Sequence, residues 1–316
     1  MRYHTPVLLK EVTDLLDLKP NQNVIDCTLG DGGHAIEMLR RIAPDGKVLG
    51  IDADREAIKR VEQRIKNKES RKRLVVVNDN FRNVTSIVEE YHFLPIHAVL
   101  LDLGMSSYQL DSGDRGFSFQ KDTPLSMNFQ TVGGVSAMDV VNKYPKQKLK
   151  EILKKYGEIK RPGAIAHNIV EARKIEPITT SSMLVASALP GVRCASGEQS
   201  QTHHVKLLAK VWQAIRIEVN QELEYLTAAL FQIASILEPR GRVAVISYHS
   251  LEDRIVKQYF RHEENSCICP KDFPECRCKK SSRFSIITKK VVRPSQAEIN
   301  SNPRSRSAKL RVAQKL

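Results

Sequence analysis

No run in this 316-residue chain approaches the roughly 20 apolar residues that a membrane helix needs. The N-terminus, Met1–Arg2–Tyr3–His4–Thr5–Pro6, has no apolar signal core either. The first absence argues against a helical membrane protein, and the two together point to the cytoplasm. No internal repeat is present. Acids are in short supply, with 36 Asp and Glu against 50 Lys and Arg, a formal charge of +14. That excess favours a polyanionic partner met by fast electrostatic encounter, although a basic protein that simply stays soluble shows the same balance. Cysteines are few and unevenly placed: Cys27 and Cys194 stand alone, while Cys267, Cys269, Cys276 and Cys278 fall within twelve residues. A chain of this length without a secretion signal does not read as a disulfide scaffold. What is present is ordinary globular composition, 41% hydrophobic and 27% charged, enough for one large domain or two modest ones.

Strand and helix patterns alternate through the first hundred residues. Val7 to Leu18 has helical apolar spacing closed by Pro20, and Val24–Cys27 is a short buried strand followed at once by glycines. Ala35 to Ile42 reads as an amphipathic helix, Lys47–Asp52 as a second strand and Glu56 to Lys66 as a charged helix. Leu74–Val77 and Ala98–Asp102 are third and fourth strands. Such alternation implies a parallel sheet with helices on both faces. The residues from Leu103 to Gly134 have no clean period and read as a long functional loop. Helical periodicity then runs from Ser136 to about Ser200, with Leu149–Ile152–Leu153–Tyr156 as one stripe. Val211 to Leu237 reads as one long amphipathic helix, Arg242–Ser247 as a strong strand, and the tail beyond Lys279 as basic, with a loop-like segment at 302–307. The expected organisation is an α/β domain of residues 1–108 and 210–316, interrupted by a mainly helical insertion, 109–209.

Chemistry concentrates in Asp26–Cys27–Thr28–Leu29–Gly30–Asp31–Gly32–Gly33–His34, between a strand and a helix. Glycines there let the backbone approach a ligand and adopt positive φ, and the helix start offers unpaired N–H groups. Nineteen residues after Gly33, Asp52 ends the next strand, where an acid accepts ribose hydroxyls. A nicotinamide dinucleotide uses the same two devices. It prefers G-x-G-x-x-G, however, and here the third glycine is missing and Asp31 would face a pyrophosphate. A sulfonium cofactor is positively charged and carries no phosphate, so Asp26, Asp31 and Asp102 suit S-adenosylmethionine better. Without Asp52, the glycines alone would suggest no more than a tight turn.

Several blocks then resemble a known family. They are His4–Leu9, Gly32–His34, Asp102–Asp111, Arg115–Phe119, Ser247–Lys257 and Asn302–Arg311, in that order and spread nearly end to end. Together they resemble the bacterial 16S rRNA (cytosine-N4)-methyltransferase family, RsmH or MraW. The resemblance implies a class I S-adenosylmethionine-dependent methyltransferase, a Rossmann-like doubly wound sheet with an inserted helical domain. It implies methyl transfer to the exocyclic N4 of one cytidine in the decoding (P-site) region of small-subunit rRNA, with 16S rRNA or the small ribosomal subunit as partner and a homodimer as the family-level assembly. By motif position, it assigns cofactor contacts to Gly32, Gly33, His34, Asp52, Phe81, Asp102 and Gln109. Phe81 taken alone reads as ordinary core. A factor of the same fold that binds RNA and has lost catalysis is the alternative.

A cytosine amino group is a poor nucleophile because its lone pair is delocalised into the ring. The base must leave its stack and present N4 in line with the methyl group. Asp102 and the loop after it stand where many amino-methyltransferases carry an Asp/Asn-Pro-Pro-aromatic loop. Asp102 either accepts from the target amine or serves the cofactor alone. His249 follows the strong strand and is placed to touch the base, with Arg254 and Lys257 one helical turn apart for phosphate; a helix capped by Ser250 with a solvated charged face is the plainer reading. Arg115, Phe117 and Phe119 interleave charge with aromatics, as where a single-stranded base stacks. Cys267, Cys269, Cys276 and Cys278 are enough for a tetrahedral zinc site, although C-x-C pairs are tighter than the usual C-x₂-C; a reduced, metal-free loop fits equally. Lys206–Lys210 stands where the family usually carries His-Pro-Ala-Thr-Arg, so Lys210 keeps the charge of that arginine but loses its planar fork.

Overall fold

The computed structural model describes residues 5–111, 115–129, 134–190, 201–267, 269, 277–278 and 280–316. The chain forms two compact units, one of Met1–Gly104 with Leu223–Leu316 and one of Met105–Glu222. No described helix is long and apolar enough to cross a membrane.

The first unit opens with α1 (Leu9–Leu15), β1 (Val24–Asp26), α2 (Gly33–Arg41), β2 (Val48–Ile51), α3 (Arg55–Arg64), α4 (Lys68–Lys72), β3 (Leu74–Val77), α5 (Val84–Glu90) and β4 (Ile96–Asp102). The second unit is helical: α6 (Ser107–Asp111), α7 (Ala137–Lys143), α8 (Lys146–Lys155), α9 (Pro162–Ile175), α10 (Ser181–Ala188) and α11 (Gln201–Asn220). Its core includes the stripe Leu149, Ile152, Leu153 and Tyr156, all buried, and α7 starts at a Ser136/Asp139 capping box. The chain then rejoins the first unit with α12 (Glu222–Ile236), β5 (Leu237–Ser247), α13 (Ser250–Glu264), β6 (Phe284–Ile286), α14 (Gln296–Ser301) and β7 (Lys309–Lys315).

These strands form one sheet in the order β3-β2-β1-β4-β5-β7-β6. The pairs β1–β2, β1–β4, β2–β3 and β4–β5 are parallel; β7 runs antiparallel to both β5 and β6. Successive side chains alternate between two hydrophobic layers. Ile25, Leu49, Val99, Leu101, Val243 and Val245 pack on one side with Ile87, Leu230, Ile233 and Phe260. Val24, Val48, Ala98, Leu100, Ala244 and Ile246 pack on the other with Val12, Met38, Leu39 and Val61. With both faces covered, the strands read as unbroken apolar runs. Truncating Leu100 to Ala removes side-chain burial from the sheet centre at a cost of about 2–5 kcal/mol.

Three expectations change. Val211 to Leu237 is not one helix: α11 and α12 are separated at Gln221, which has φ 50. A left-handed residue ends the first helix and redirects the chain. The unperiodic stretch after Leu103 contains the short helix α6. The third is in the tail. The loop-like segment forms a 3₁₀ turn over Pro303–Ser307, and around it the basic tail supplies β6, α14 and β7, with β7 pairing Leu310 with Ile246 and Val312 with Ala244 in the middle of the sheet.

Candidate cofactor and active site

The glycine turn is fastened to the strand ends around it. Cys27 N donates to Leu100 O and Leu29 N to Ile51 O, both at 2.9 Å, and Gly32 N closes the turn on Leu29 O at 2.7 Å. Gly32 has φ 72 and is the N-cap of α2, a conformation L side chains rarely adopt. Gly33 has no such φ but is sterically closed, because a Cβ there would strike the Pro6 ring. The turn therefore lies at the carboxyl ends of β1, β2 and β4, where the strand order reverses and open α/β sheets bind ligands.

Three acids surround it. Asp26 is buried at the end of β1; its Oδ1 accepts from Thr28 N at 3.2 Å, and its Oδ2 is buried without a hydrogen-bond partner. Burial pushes its carboxyl up to about 7, with the nearby Asp52 charge adding to the shift. Asp52 is raised to about 6, again by burial, although Oδ2 accepts from Gly30 N at 2.7 Å and Oδ1 from Asp54 N at 2.8 Å. Each of its oxygens keeps one lone pair for a further donor, which fits a pair of ribose hydroxyls. Burial also raises Asp102 to about 7, opposed by the Tyr248 hydroxyl, which donates to Oδ1 at 2.8 Å. The Asp102 backbone N–H is held by Thr28 Oγ1 at 2.6 Å, and His34 Nδ1 lies 3.7 Å from Asp102 Oδ2.

His34 is buried, with Nε2 3.0 Å from Val7 O. Phe81 begins a 3₁₀ turn after β3, half-buried against the core. Asp31 departs from the charge pattern expected above. It is paired with Arg60 Nε at 2.8 Å while Arg64 holds its carbonyl, so its charge is spent on α3. Of the acids expected to favour a sulfonium, that leaves Asp26 and Asp102.

At the end of β5, His249 rather than Ser250 is the N-cap of α13. Its Nδ1 accepts from Glu252 N at 3.4 Å, while Glu252 Oε2 accepts from Tyr248 N and His249 N at 2.8 and 3.2 Å. That bond commits Nδ1 to the helix it caps. Further along α13, Arg254 is exposed. Lys257 lines a cavity of about 170 Å³ with Phe260, Arg261, Thr288, Lys289 and Arg311.

The remaining residues, apart from the cysteines, belong to the second unit. Gln109 is buried and bonds locally: its Oε1 accepts from Ser106 N at 3.0 Å, and Ser106 Oγ accepts from Gln109 N at 3.2 Å. Arg115 Nη1 donates to Phe129 O at 3.3 Å. Phe117 contradicts its expected role on a nucleobase, being 5% exposed and stacked on Phe129 with ring centroids 5.4 Å apart. Phe119 meets Trp212 edge-on at 5.4 Å. Phe117 is core, whereas Phe119 is half-buried against its aromatic partner. Lys210 is exposed and reaches the Glu158 carbonyl at 3.4 Å. Of the cysteines, Cys267, Cys269 and Cys278 hold their sulfurs within 4.8 Å of one another, and Cys276 lies outside the described residues.

Sequence reasoning missed Tyr248 and Thr28 as the groups that hold Asp102. Tyr248 stands inside the Ser247–Lys257 block, but nothing in its spacing says that it reaches back to β4. Gly104 is the only local sign, since it has φ 98 and a Cβ there would press on the Tyr248 ring at 3.3 Å.

A sheet in this strand order with β7 reversed, a glycine turn after β1 and an acid directly after β2, is the class I S-adenosylmethionine-dependent methyltransferase fold. The profile of the MraW methylase family matches residues 1–316, and the chain belongs to that family. A protein of Clostridium botulinum named ribosomal RNA small subunit methyltransferase H is 44% identical over 313 residues, covering 99% of each chain. A Dehalococcoides mccartyi protein of the same name is 44% identical, covering 99% of this chain and 86% of its own. Among solved structures, an rRNA methylase from Streptococcus thermophilus aligns with TM-score 0.44 at 11% identity, covering 100% of this chain and 99% of that one. The site suits S-adenosylmethionine, the cofactor of this fold: the partnerless Asp26 Oδ2 and the desolvated Asp102 are groups that a cationic ligand satisfies.

Proposed function

We propose that this chain methylates the exocyclic N4 of a specific cytidine in the decoding (P-site) region of 16S rRNA, on naked RNA or on the small ribosomal subunit. S-adenosylmethionine supplies an electrophilic methyl group. In this reading Gly32 and Gly33 let the cofactor lie against the backbone, Asp52 accepts from its ribose, and Phe81 packs on its adenine. His34, Asp102 and Gln109 complete the cofactor contacts.

The single observation that carries the reading is the Asp102 carboxylate, desolvated at the end of β4 and gripped on Oδ1 by Tyr248. That grip leaves Oδ2 to accept an N–H of the target amine. Accepting it draws the amine out of conjugation and localises its lone pair, which is the step a cytosine amine needs. Asp102 acts as the carboxylate, and methyl transfer makes the nitrogen acidic, so the same oxygen is placed to take the released proton.

The RNA side of the reading uses charge. Lys257, Arg261, Lys289 and Arg311 converge on one cavity, and Arg254 is exposed a turn earlier on α13, an arrangement suited to phosphates. Arg115 and His249 remain substrate-side candidates, while Phe117 does not. The names of the relatives support rRNA as the substrate class.

The test is transfer of labelled methyl to small subunits from a strain lacking the gene, followed by mapping of the modified nucleotide. Label on cytidine N4 in the decoding region is the expected result. Cofactor binding without transfer would instead make the chain a noncatalytic RNA-binding factor, and label on another atom would refute the N4 reading.

A further inference from the structure

We propose that Cys267, Cys269 and Cys278 hold a structural zinc ion where the chain passes from α13 toward β6. Cys267 stands two residues beyond Asn265, the C-cap of α13, and Cys278 six residues before β6 begins. Cys278 is nine positions beyond Cys269, so local backbone geometry alone does not set the distance between their sulfurs. Yet the three sulfurs lie within 4.8 Å of one another, and the Cys267 and Cys278 sulfurs are 3.8 Å apart. That separation is far beyond the ~2.05 Å of a disulfide. It matches the edge of a tetrahedron of thiolates around zinc, about 3.8 Å for a Zn–S bond of about 2.3 Å.

The surrounding backbone is arranged for thiolates. Cys269 N–H points at Cys267 Sγ and Arg277 N–H at Cys269 Sγ, each at 3.4 Å. Such N–H···S contacts stabilise negative sulfur and fix the direction of its lone pairs. Three thiolates and Zn²⁺ carry one net negative charge, in a segment that also holds the cations Arg277 and Lys280. Lys280 anchors the segment to the helix end through the His262 and Asn265 carbonyls. The three described ligands leave the fourth tetrahedral position to a group outside them. Soft thiolate ligands select zinc over magnesium or calcium, and the site contains no part of the glycine turn or its acids.

The role assigned is mechanical. β6 is a three-residue edge strand. A metal clip closing the connection between it and α13 contributes most where the chain has least core of its own.

Full-length protein purified anaerobically, without chelator or metal-affinity resin, would be analysed for metals. About one zinc per chain is expected, falling at least about fivefold in Cys267→Ser and Cys278→Ser. Cobalt in place of zinc should show the intense visible bands of tetrahedral thiolate coordination. Removing the metal should lower the melting temperature while S-adenosylmethionine affinity stays within about twofold. Background zinc in the native chain, unchanged zinc in both serine variants, or a Cys267–Cys278 disulfide in the anaerobic protein would each overturn the assignment. Circular dichroism of the variants separates loss of the metal from loss of the fold.

Discussion

Acids on the strand ends and acids on the helix surfaces behave in opposite ways. Asp26, Asp52 and Asp102 lie in desolvated surroundings with few compensating donors, and their carboxyls are raised to about 7, 6 and 7. On α2, Glu37 accepts from Arg40 and Arg41 and is lowered to about 2, and on α7, Asp139 is lowered by Lys143 and its own capping serine. The same side-chain chemistry is therefore strained in one place and content in the other. Strained acids of like charge, gathered at a topological switch point, wait for a cation; satisfied ones hold helices.

The largest expected effect tests the catalytic end of that contrast. Asp102→Asn should lower single-turnover methylation at saturating cofactor by about 10²–10³-fold. An unchanged rate would confine Asp102 to the cofactor. Next is the response to pH. Each raised acid holds its proton to higher pH in the folded chain than in the unfolded one, whose carboxyls titrate near 3.8. Between about pH 4 and 7 the ligand-free folded chain therefore binds more protons, and its stability falls as pH rises through that window. A cationic ligand reverses the preference by lowering these pKa values. S-adenosylmethionine binding should release protons near pH 6.5 and tighten from pH 5.5 to 8, as calorimetry in buffers of different ionisation enthalpy would record. Flat affinity across that range would show that the acids do not face the positive charge.

Asp26→Asn should separate strain from use. It keeps an acceptor for Thr28 N but removes the buried charge, so the ligand-free protein should melt higher at pH 8 while cofactor affinity falls about tenfold. A smaller change is expected for Tyr248→Phe. Losing the donor that holds Asp102 down should raise its pKa further and move the acidic limb of the pH–rate profile upward, with little change in cofactor affinity. A merely structural tyrosine would lower activity without moving that limb. The smallest effect is the control: Glu37→Gln removes a surface network and should change the melting temperature by less than about 2 °C, since exposed ion pairs contribute little.

How far the sequence could be read depends on whether the signal was local. β1 to β4 were legible because parallel strands covered on both faces are short apolar runs, and their carboxyl ends announce themselves with Gly30–Gly33 and Asp52. In the tail no strand was assigned, although Lys309–Leu310–Arg311–Val312 alternates with period 2. Its basic composition hid a strand whose apolar residues, Leu310 and Val312, are fully buried. The break at Gln221 was invisible because a glutamine in the left-handed region carries no turn signature. Phe117 and Phe119 were assigned to substrate from their interleaving with Arg115, but whether a ring faces a base or another ring is settled by partners distant in the chain. Trp212, which meets Phe119, is 93 positions away.

By itself, the sequence determined the alternation that makes a doubly wound sheet, the glycine turn and the acid nineteen residues on, because these follow from local periodicity and backbone freedom. Only the tertiary structure decided which acids matter. It turned Asp31 to Arg60, left Asp26 Oδ2 buried without a partner, and brought Tyr248 across 146 residues to hold Asp102. The physical reason is that the charge of a carboxyl is governed by water and by donors within a few ångströms. Those neighbours are chosen by the packing of whole elements, which no short stretch of sequence contains.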